Sequence, residues 1–172
     1  SEQAIVETDK KYGGYCYTIA YNILASREDS EESVSDTYFS AWNTIPPRKP
    51  TLLQAFLGKI ARHISIDRWR KQSAQKRGGK EMILALEELG ECVDIRGMEA
   101  EITSRELTRV LNGFLASLAE TERNVFLCRY WYMDSIETIA CITGFSQSKV
   151  TSMLHRTRGK LRKKLAEEGY RV

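Results

Sequence analysis

The stretch ETIACITGFSQSKVTSMLHRTRGKLRKKL, residues 137–165, interrupts a helical pattern with a glycine and restarts it at once. Gly144 follows Ala140 by four residues, and Val150 follows Gly144 by six. A small residue allows one helix to approach the next, and glycine readily takes the left-handed backbone of a tight turn. Ser146 stands where the N-cap of the second helix belongs. The spacing therefore predicts a helix-turn-helix.

The second helix of this pair is predicted to have two unlike faces. Its inward face is apolar at helical spacing, with Val150, Met153, Leu154, Leu161 and Leu165. Its outward face carries side chains that can reach base edges and phosphates, namely Gln147, Lys149, Thr151, Ser152, His155, Arg156 and Arg158. Such a face suits the major groove of DNA, so we predict that these residues bind DNA. A plain helical hairpin is the alternative.

Helical periodicity extends over most of the chain. The first part has three apolar stripes, which are Tyr12, Cys16, Ile19, Ala20 and Ile23; Val34, Thr37, Tyr38, Ala41, Trp42 and Ile45; and Leu53, Phe56, Leu57, Ile60, Ala61 and Ile64. A fourth stripe precedes the helix-turn-helix, with Leu107, Val110, Leu111, Phe114, Leu115 and Leu118. Trp42 lies on its stripe, which favours core packing. Thr121 is the predicted N-cap of the next helix.

The helical segments group into two parts. The prolines at 46, 47 and 50 predict a loop, because proline lacks the amide donor. Residues 73–102 are polar and contain glycines, with one short apolar stretch that favours one or two helical turns. We therefore predict an all-α fold with two small helical domains, residues 1–72 and 103–172, joined by a flexible linker, residues 73–102.

Charge is unevenly distributed, although the net charge is only +3. Residues 27–42 contain five acidic side chains and one basic side chain. In residues 59–80 basic side chains dominate and Asp67 is the only acid. Residues 135–172 are again rich in lysine and arginine. One acidic and two basic segments favour more than one macromolecular partner.

Two blocks of the chain resemble bacterial sigma factors. The segments SEESVSDTYFSAW (residues 30–42) and LLQAFLGKIARHISIDRWRKQ (residues 52–72) are similar to region 2 of the sigma-70 family, and residues 117–165 are similar to region 4. Little lies between them, which is the layout of the extracytoplasmic-function (ECF, group IV) type. The resemblance implies a sigma factor that binds core RNA polymerase. It would direct promoter-specific transcription initiation through the −10 and −35 elements.

The resemblance also assigns roles to residues. The helix with Glu31, Glu32 and Asp36 matches the surface that docks on the clamp helices of the polymerase, and a carboxylate face suits a basic coiled coil. A merely solvated acidic face is the alternative. The −35 contacts fall on the outward face of the second helix of the helix-turn-helix. Residues 160–164, the basic tail, match a segment that holds phosphate or part of the polymerase flap.

By the same resemblance, capture of the melted −10 strand falls to the loop at residues 46–51 and to Lys59, Arg62, His63 and Arg70. Binding a single strand needs a basic groove. The family often has asparagine where this chain has His63, whose side chain differs in reach and charge. The resemblance therefore carries no −10 base preference over to this chain.

Other classes of protein fit the sequence less well. The chain has no nucleophile–base pair, no phosphate-cradling glycine loop and no metal-ligand spacing among its four cysteines. Its only histidines are His63 and His155. We therefore expect no enzyme activity, no cofactor, no metal site and no small-molecule substrate, and we expect the cysteines to be reduced thiols.

The remaining expectations concern partners and location. No apolar run is long enough to cross a membrane, so we expect no membrane insertion and a cytoplasmic location. The resemblance implies an anti-sigma protein as a further partner. A free-standing helix-turn-helix regulator is the alternative function. The helical pattern starts abruptly at Ser1, which leaves open a further helix upstream.

Overall fold

The computed structural model describes residues 2–45, 49–72, 80–93 and 100–172. Within these residues the chain forms eight α-helices, which are α1 (Glu2–Leu24), α2 (Arg27–Thr44), α3 (Leu53–Lys71), α4 (Lys80–Gly90), α5 (Ala100–Ser117), α6 (Glu120–Tyr130), α7 (Ile136–Thr143) and α8 (Gln147–Glu167). Every regular element in the described ranges is helical, which confirms the predicted all-α class. The chain divides into two compact units, residues 1–82 and 83–172.

Helices α1, α2 and α3 pack together in the first unit around a shared apolar core. The core residues belong to the three predicted stripes and include Cys16, Val34, Tyr38, Ala41, Leu57 and Ala61. The helical period therefore predicted which faces are buried. Gly58 allows α3 to lie close to α1, because a Cβ at this position would overlap the Tyr15 side chain.

Helix α2 has a well-defined start and end. Ser26 caps it by accepting a hydrogen bond from the backbone N–H of Asp29 at 3.3 Å. Glu28 and Asp29 lie in the first turn, where negative charge is favourable beside the helix dipole. The helix ends at Thr44, just before the prolines. Most of the predicted proline loop, residues 46–48, lies outside the described residues.

The second unit places helix α8 against α5, α6 and α7. Its core is formed by apolar side chains from these four helices and from the α5–α6 connection, including Val110, Phe114, Leu118, Val125, Phe126, Ile139, Val150, Met153, Leu154, Leu161 and Leu165. Burying one such side chain contributes about 1.5–3 kcal/mol. The predicted inward face of α8 is confirmed, since each of its residues is buried.

Two local predictions were wrong. Thr121 is not an N-cap, because α6 already begins at Glu120 after Ala119 and has no side-chain cap. Arg123 instead joins α6 to α5 by donating to the carbonyls of Leu115 and Leu118, both at 2.9 Å. The interdomain segment was predicted to have one or two helical turns, whereas α4 is an 11-residue helix.

The rest of the predicted linker falls largely on residues 73–79 and 94–99, which lie outside the described ranges. The predicted domain limits at residues 72 and 103 therefore stay predictions. Among the helices in the described part of the chain, none is long and apolar enough to cross a bilayer.

Candidate nucleic-acid interface

The outward face of α8 begins directly after the turn of the helix-turn-helix. Gly144 ends α7 in the left-handed region, with φ 75° and ψ 8°, where glycine meets no steric penalty. Ser146 then caps α8, and its side-chain oxygen accepts from the backbone N–H of Lys149 at 3.1 Å. These two residues confirm the predicted turn and fix the direction in which α8 leaves it.

Most of the side chains predicted to bind DNA on α8 are exposed. They are Gln147, Lys149, Thr151, Ser152, His155 and Arg156. The Lys149 ammonium lies 3.9 Å from the centre of the Phe145 ring, a cation–π contact that limits its freedom. The Thr151 hydroxyl donates to the Gln147 carbonyl at 2.9 Å and can still accept from outside. The structure thus presents these side chains to solvent on one helix.

The predicted outward position of Arg158 is wrong. Its side chain is 16% exposed, donates to the Tyr130 hydroxyl at 2.8 Å, and lies 3.6 Å from a Glu88 carboxylate oxygen. Burial lowers the pKa of Arg158, but the bond to Tyr130 and the charge of Glu88 outweigh burial and raise the pKa above its ordinary value. Arg158 follows Leu154 by four residues and precedes Leu161 by three, and this spacing places it at the edge of the core.

The basic tail of α8 is partly neutralised by neighbouring carboxylates. Lys160 Nζ lies 3.1 Å from both carboxylate oxygens of Glu122. Lys164 forms an ion pair with Glu168 at 3.1 Å. Lys163 is exposed and lies on the same helix face as Arg156, which is two turns earlier in α8. The outward positive charge of α8 therefore continues beyond its first half.

The basic residues predicted on α3 form a stripe with one half-buried neighbour. Lys59, His63 and Arg70 are exposed and lie on the same side of the helix. Arg62 is half-buried, and burial lowers its pKa. Asp67 lies 3.3 Å from His63 Nε2 and 3.9 Å from Arg70 Nη1, so one carboxylate offsets part of the positive charge.

The acidic residues predicted on α2 are exposed but already engaged in ion pairs. Arg68 of α3 lies 3.1 Å from Glu32 and 2.8 Å from Asp36. Arg27 lies 3.0 Å from Glu31, one turn along the same helix. No local pattern indicates Arg68, because it follows Asp36 by 32 residues and only the packing of α3 on α2 brings them together. We call Glu31, Glu32 and Asp36 the acidic face.

An exposed aromatic ring beside the acidic face was missed from the sequence. Phe39 is 72% exposed. It follows Asp36 by three residues and Glu32 by seven, which places all three on one side of α2. The sequence signal that could have identified Phe39 is its position outside the apolar stripe of α2. A large apolar side chain in solvent at the edge of a charged face is typical of a protein contact.

Trp42 does not lie in the core as predicted. It is 49% exposed and lines an apolar cavity of about 330 Å³ in the first unit. Ile5, Ile45 and Leu53 are among the other lining residues. The apolar stripe correctly predicted that Trp42 faces the bundle. The ring lies near the end of α2, however, where the bundle no longer covers it.

Comparison with known families agrees with this layout. The family model described as Sigma-70 region 2 matches residues 10–75, and that described as Sigma-70, region 4 matches residues 114–163. Together the two matches cover more than half of the chain. The first contains α2, α3 and most of α1, and the second contains α6, α7 and most of α8. Helix α4 lies outside both. No curated protein sequence matches the chain.

Proposed function

Because the chain belongs to the sigma-70 family, we propose that it is a promoter-specificity subunit of the ECF (group IV) type. Regions 2 and 4 of this family act in promoter recognition with core RNA polymerase, as DNA-binding regulatory regions and not as enzymes. The ECF assignment is supported by the order of the two regions, with only residues 76–113 between them.

The observation that carries the proposal is the outward face of α8. A capped helix leaves a left-handed turn and presents amide, hydroxyl, imidazole and cationic groups to solvent, as a helix that enters a major groove must do. The proposed −35 contacts are the exposed ones: Gln147, Lys149, Thr151, Ser152, His155 and Arg156. Lys149 and Arg156 supply charge for phosphate or guanine.

The first unit is proposed to capture the melted −10 strand. Lys59, His63 and Arg70 provide a charged track for a backbone, with Arg62 as a half-buried flank. The pair between His63 and Asp67 holds the imidazole at 3.3 Å from a carboxylate, so that ring is oriented before DNA arrives.

The acidic face is proposed as the docking surface for the clamp helices of core polymerase. Its carboxylates project from α2 into solvent, and Phe39 adds an apolar contact at the same side. Arg68 holds Glu32 and Asp36 in place, and a basic partner would compete for the same oxygens. Charge of this kind chiefly accelerates and orients association.

The remaining parts of the proposal concern the cell. The protein acts in the cytoplasm, where polymerase and promoter DNA are found. Between rounds of initiation an anti-sigma protein covers one or both DNA-binding units. The basic tail of α8 holds phosphate or part of the polymerase flap. These points are supported by family membership and not by any one residue.

A pull-down with purified bacterial core polymerase tests the docking proposal. The protein should bind core at one to one stoichiometry, and the double variant Glu32→Gln with Asp36→Asn should bind several-fold more weakly. The matched control is Arg68→Ala, which breaks the same internal ion pairs but keeps both carboxylates. It should bind core at least as well as the wild type. Equal loss in both variants would show that the ion pairs matter only for the fold.

A further inference from the structure

A partly buried ion-pair network in the second unit joins α4 to α6 and α8. The Glu88 carboxylate of α4 accepts from Arg129 Nε at 3.3 Å, from Arg129 Nη2 at 3.0 Å and from the Tyr130 hydroxyl at 2.8 Å. Arg129 is 2% exposed and also donates to the Asp134 carbonyl at 3.0 Å. The Tyr130 hydroxyl in turn accepts from Arg158. The single Glu88 carboxylate of α4 thus forms ion pairs with two arginines, Arg129 and Arg158.

The two arginines in this network are held very differently. Arg129 lies inside the unit and makes a fork-shaped contact with Glu88, which a buried guanidinium requires if its charge is to be compensated. Arg158 reaches the network from its edge, through one hydrogen bond to Tyr130 and a longer 3.6 Å approach to Glu88. Arg158 is therefore the cation that can leave without exposing a buried charge.

Helix α4, which supplies Glu88 to this network, lies outside both family-matched segments. Glu88 lies between the two family-matched segments, which end at residue 75 and resume at residue 114. Cys92, just after α4, is also buried, and its Sγ lies 3.9 Å from the Arg158 carbonyl. A segment outside both matched regions therefore contacts the helix that carries the proposed −35 contacts.

We infer that Glu88 restrains Arg158, and that without this restraint Arg158 binds the phosphate backbone beside the other cations of α8. The inference rests on the proposed function, since it requires that α8 binds DNA. Arg158 follows the outward Arg156 by two residues, and its long side chain can turn from the core edge to solvent by rotamer changes alone. Any partner that draws α4 away adds this phosphate contact and strengthens DNA binding.

Two variants of the full chain release Arg158 to different extents. Glu88→Gln removes the charge that attracts Arg158 but keeps the side-chain volume. Tyr130→Phe removes the hydroxyl that accepts from Arg158 and donates to Glu88, and it leaves the pair between Glu88 and Arg129 intact. The second variant keeps the inference testable if the first fails to fold, which circular dichroism and thermal unfolding would reveal.

The first measurement needs no DNA. Phenylglyoxal modifies accessible guanidinium groups, and mass spectrometry of the digested protein gives the rate at each arginine. In the wild type Arg158 should react several-fold more slowly than the exposed Arg156, which serves as internal reference. In both variants the rates at the two positions should approach each other. Unchanged protection of Arg158 in folded variants would overturn the restraint.

The second measurement is the salt dependence of binding to a short DNA duplex of mixed sequence. Because each phosphate contact contributes about 0.9 to the slope of log affinity against log salt, the slope should become steeper by about 0.9 in Glu88→Gln between about 50 and 200 mM salt. Adding Arg158→Ala should cancel this gain. A role in folding alone would not produce a gain that depends on Arg158.

A control variant and the pattern of DNA binding separate a failure of DNA binding from a failure of the Glu88 restraint. Glu167→Gln removes the same charge at an exposed position of α8 and should change neither Arg158 reactivity nor the slope by a comparable amount. If the wild type and every variant fail to bind the duplex, the proposed duplex contact of α8 fails, and the phosphate contact with it, whereas docking on core polymerase is tested separately by the pull-down. If the wild type binds and folded variants bind with the same slope, only the inference about Glu88 is overturned.

Discussion

Arg156 and Arg158 stand two residues apart on α8 and have opposite surroundings. Arg156 is exposed on the face that carries Ser152. Arg158 is 16% exposed and hydrogen-bonded to Tyr130. The difference follows from helical geometry, since a shift of two residues rotates a side chain by about 200°. Of the two, only Arg156 can contact a base without rearrangement.

Replacing Arg156 should therefore weaken DNA binding. Arg156→Ala is expected to reduce the affinity for a −35 duplex by about 1–3 kcal/mol if the guanidinium makes a bidentate base contact. Titration by fluorescence anisotropy at fixed salt measures this loss. Arg171→Ala, which removes an exposed arginine beyond the end of α8, is the matched control and should change affinity little. An affinity equal to wild type would remove Arg156 from the interface.

Glu88 should make stability depend on pH on the acid side. Burial raises its pKa, but hydrogen bonds from Arg129 and Tyr130 and the nearby positive charges lower the pKa overall below its ordinary value of 4.5. Its contribution to the free energy of unfolding is therefore present above pH 4.5 and is lost as pH falls through the lower, folded-state pKa. Urea unfolding across this range should show a shallower loss in Glu88→Gln than in the wild type.

A control separates Glu88 from other carboxylates. The pKa of Glu168 is also lowered, chiefly by the hydrogen bond from Lys164, but this side chain is at the surface and is screened by solvent. Glu168→Gln should leave the acid dependence close to that of the wild type. An equal change in both variants would mean that the Glu88 network carries no special share of the stability.

At the scale of the helix, two internal glycines differ in how closely neighbouring atoms approach them. Gly159 lies within α8, and a Cβ at this position would meet no atom within 4 Å. Gly58 lies within α3, where a Cβ would overlap Tyr15. Helix propensity favours alanine over glycine at both positions, so only the surroundings decide the outcome.

The two alanine variants should consequently shift stability in opposite directions. Gly159→Ala is expected to raise the free energy of unfolding by about 0.5–1 kcal/mol. Gly58→Ala is expected to lower it by about 1–3 kcal/mol, because Tyr15 must move. Denaturant unfolding measures both. A loss of stability in Gly159→Ala would mean that the packing around α8 is tighter than the structure describes.

Sequence patterns predicted the helices wherever local spacing determines them. The apolar stripes, with the exception of Trp42, the left-handed Gly144 and the Ser146 cap are all encoded within a few residues and are confirmed. The full length of α4 and the position of Arg158 were not predicted. The spacing of Arg158 from Leu154 and Leu161 does mark a residue at the edge of the core. The contacts of Glu88 are not marked in this way, because its partner Arg129 lies 41 residues away and no local pattern carries such a contact. The pairing of Arg68 with the acidic face escaped for the same reason.

At the scale of the whole molecule, the two units divide the proposed work. The first unit carries the acidic face and the basic stripe of α3, on helices whose packing ties the two together through Arg68. The second carries the outward face of α8. A protein that needed only duplex DNA would have use for the second unit alone. The presence of both family-matched regions in one chain is what favours action through polymerase.

The most direct test of this account is run-off transcription with purified core polymerase on a library of genomic fragments. The account predicts new transcription start sites that require the protein and that weaken with Arg156→Ala. Alignment of their upstream sequences should yield shared −10 and −35 elements. If the protein instead binds duplex DNA tightly by itself, fails to bind core polymerase and produces no new start sites, it is a free-standing helix-turn-helix regulator and the account is contradicted.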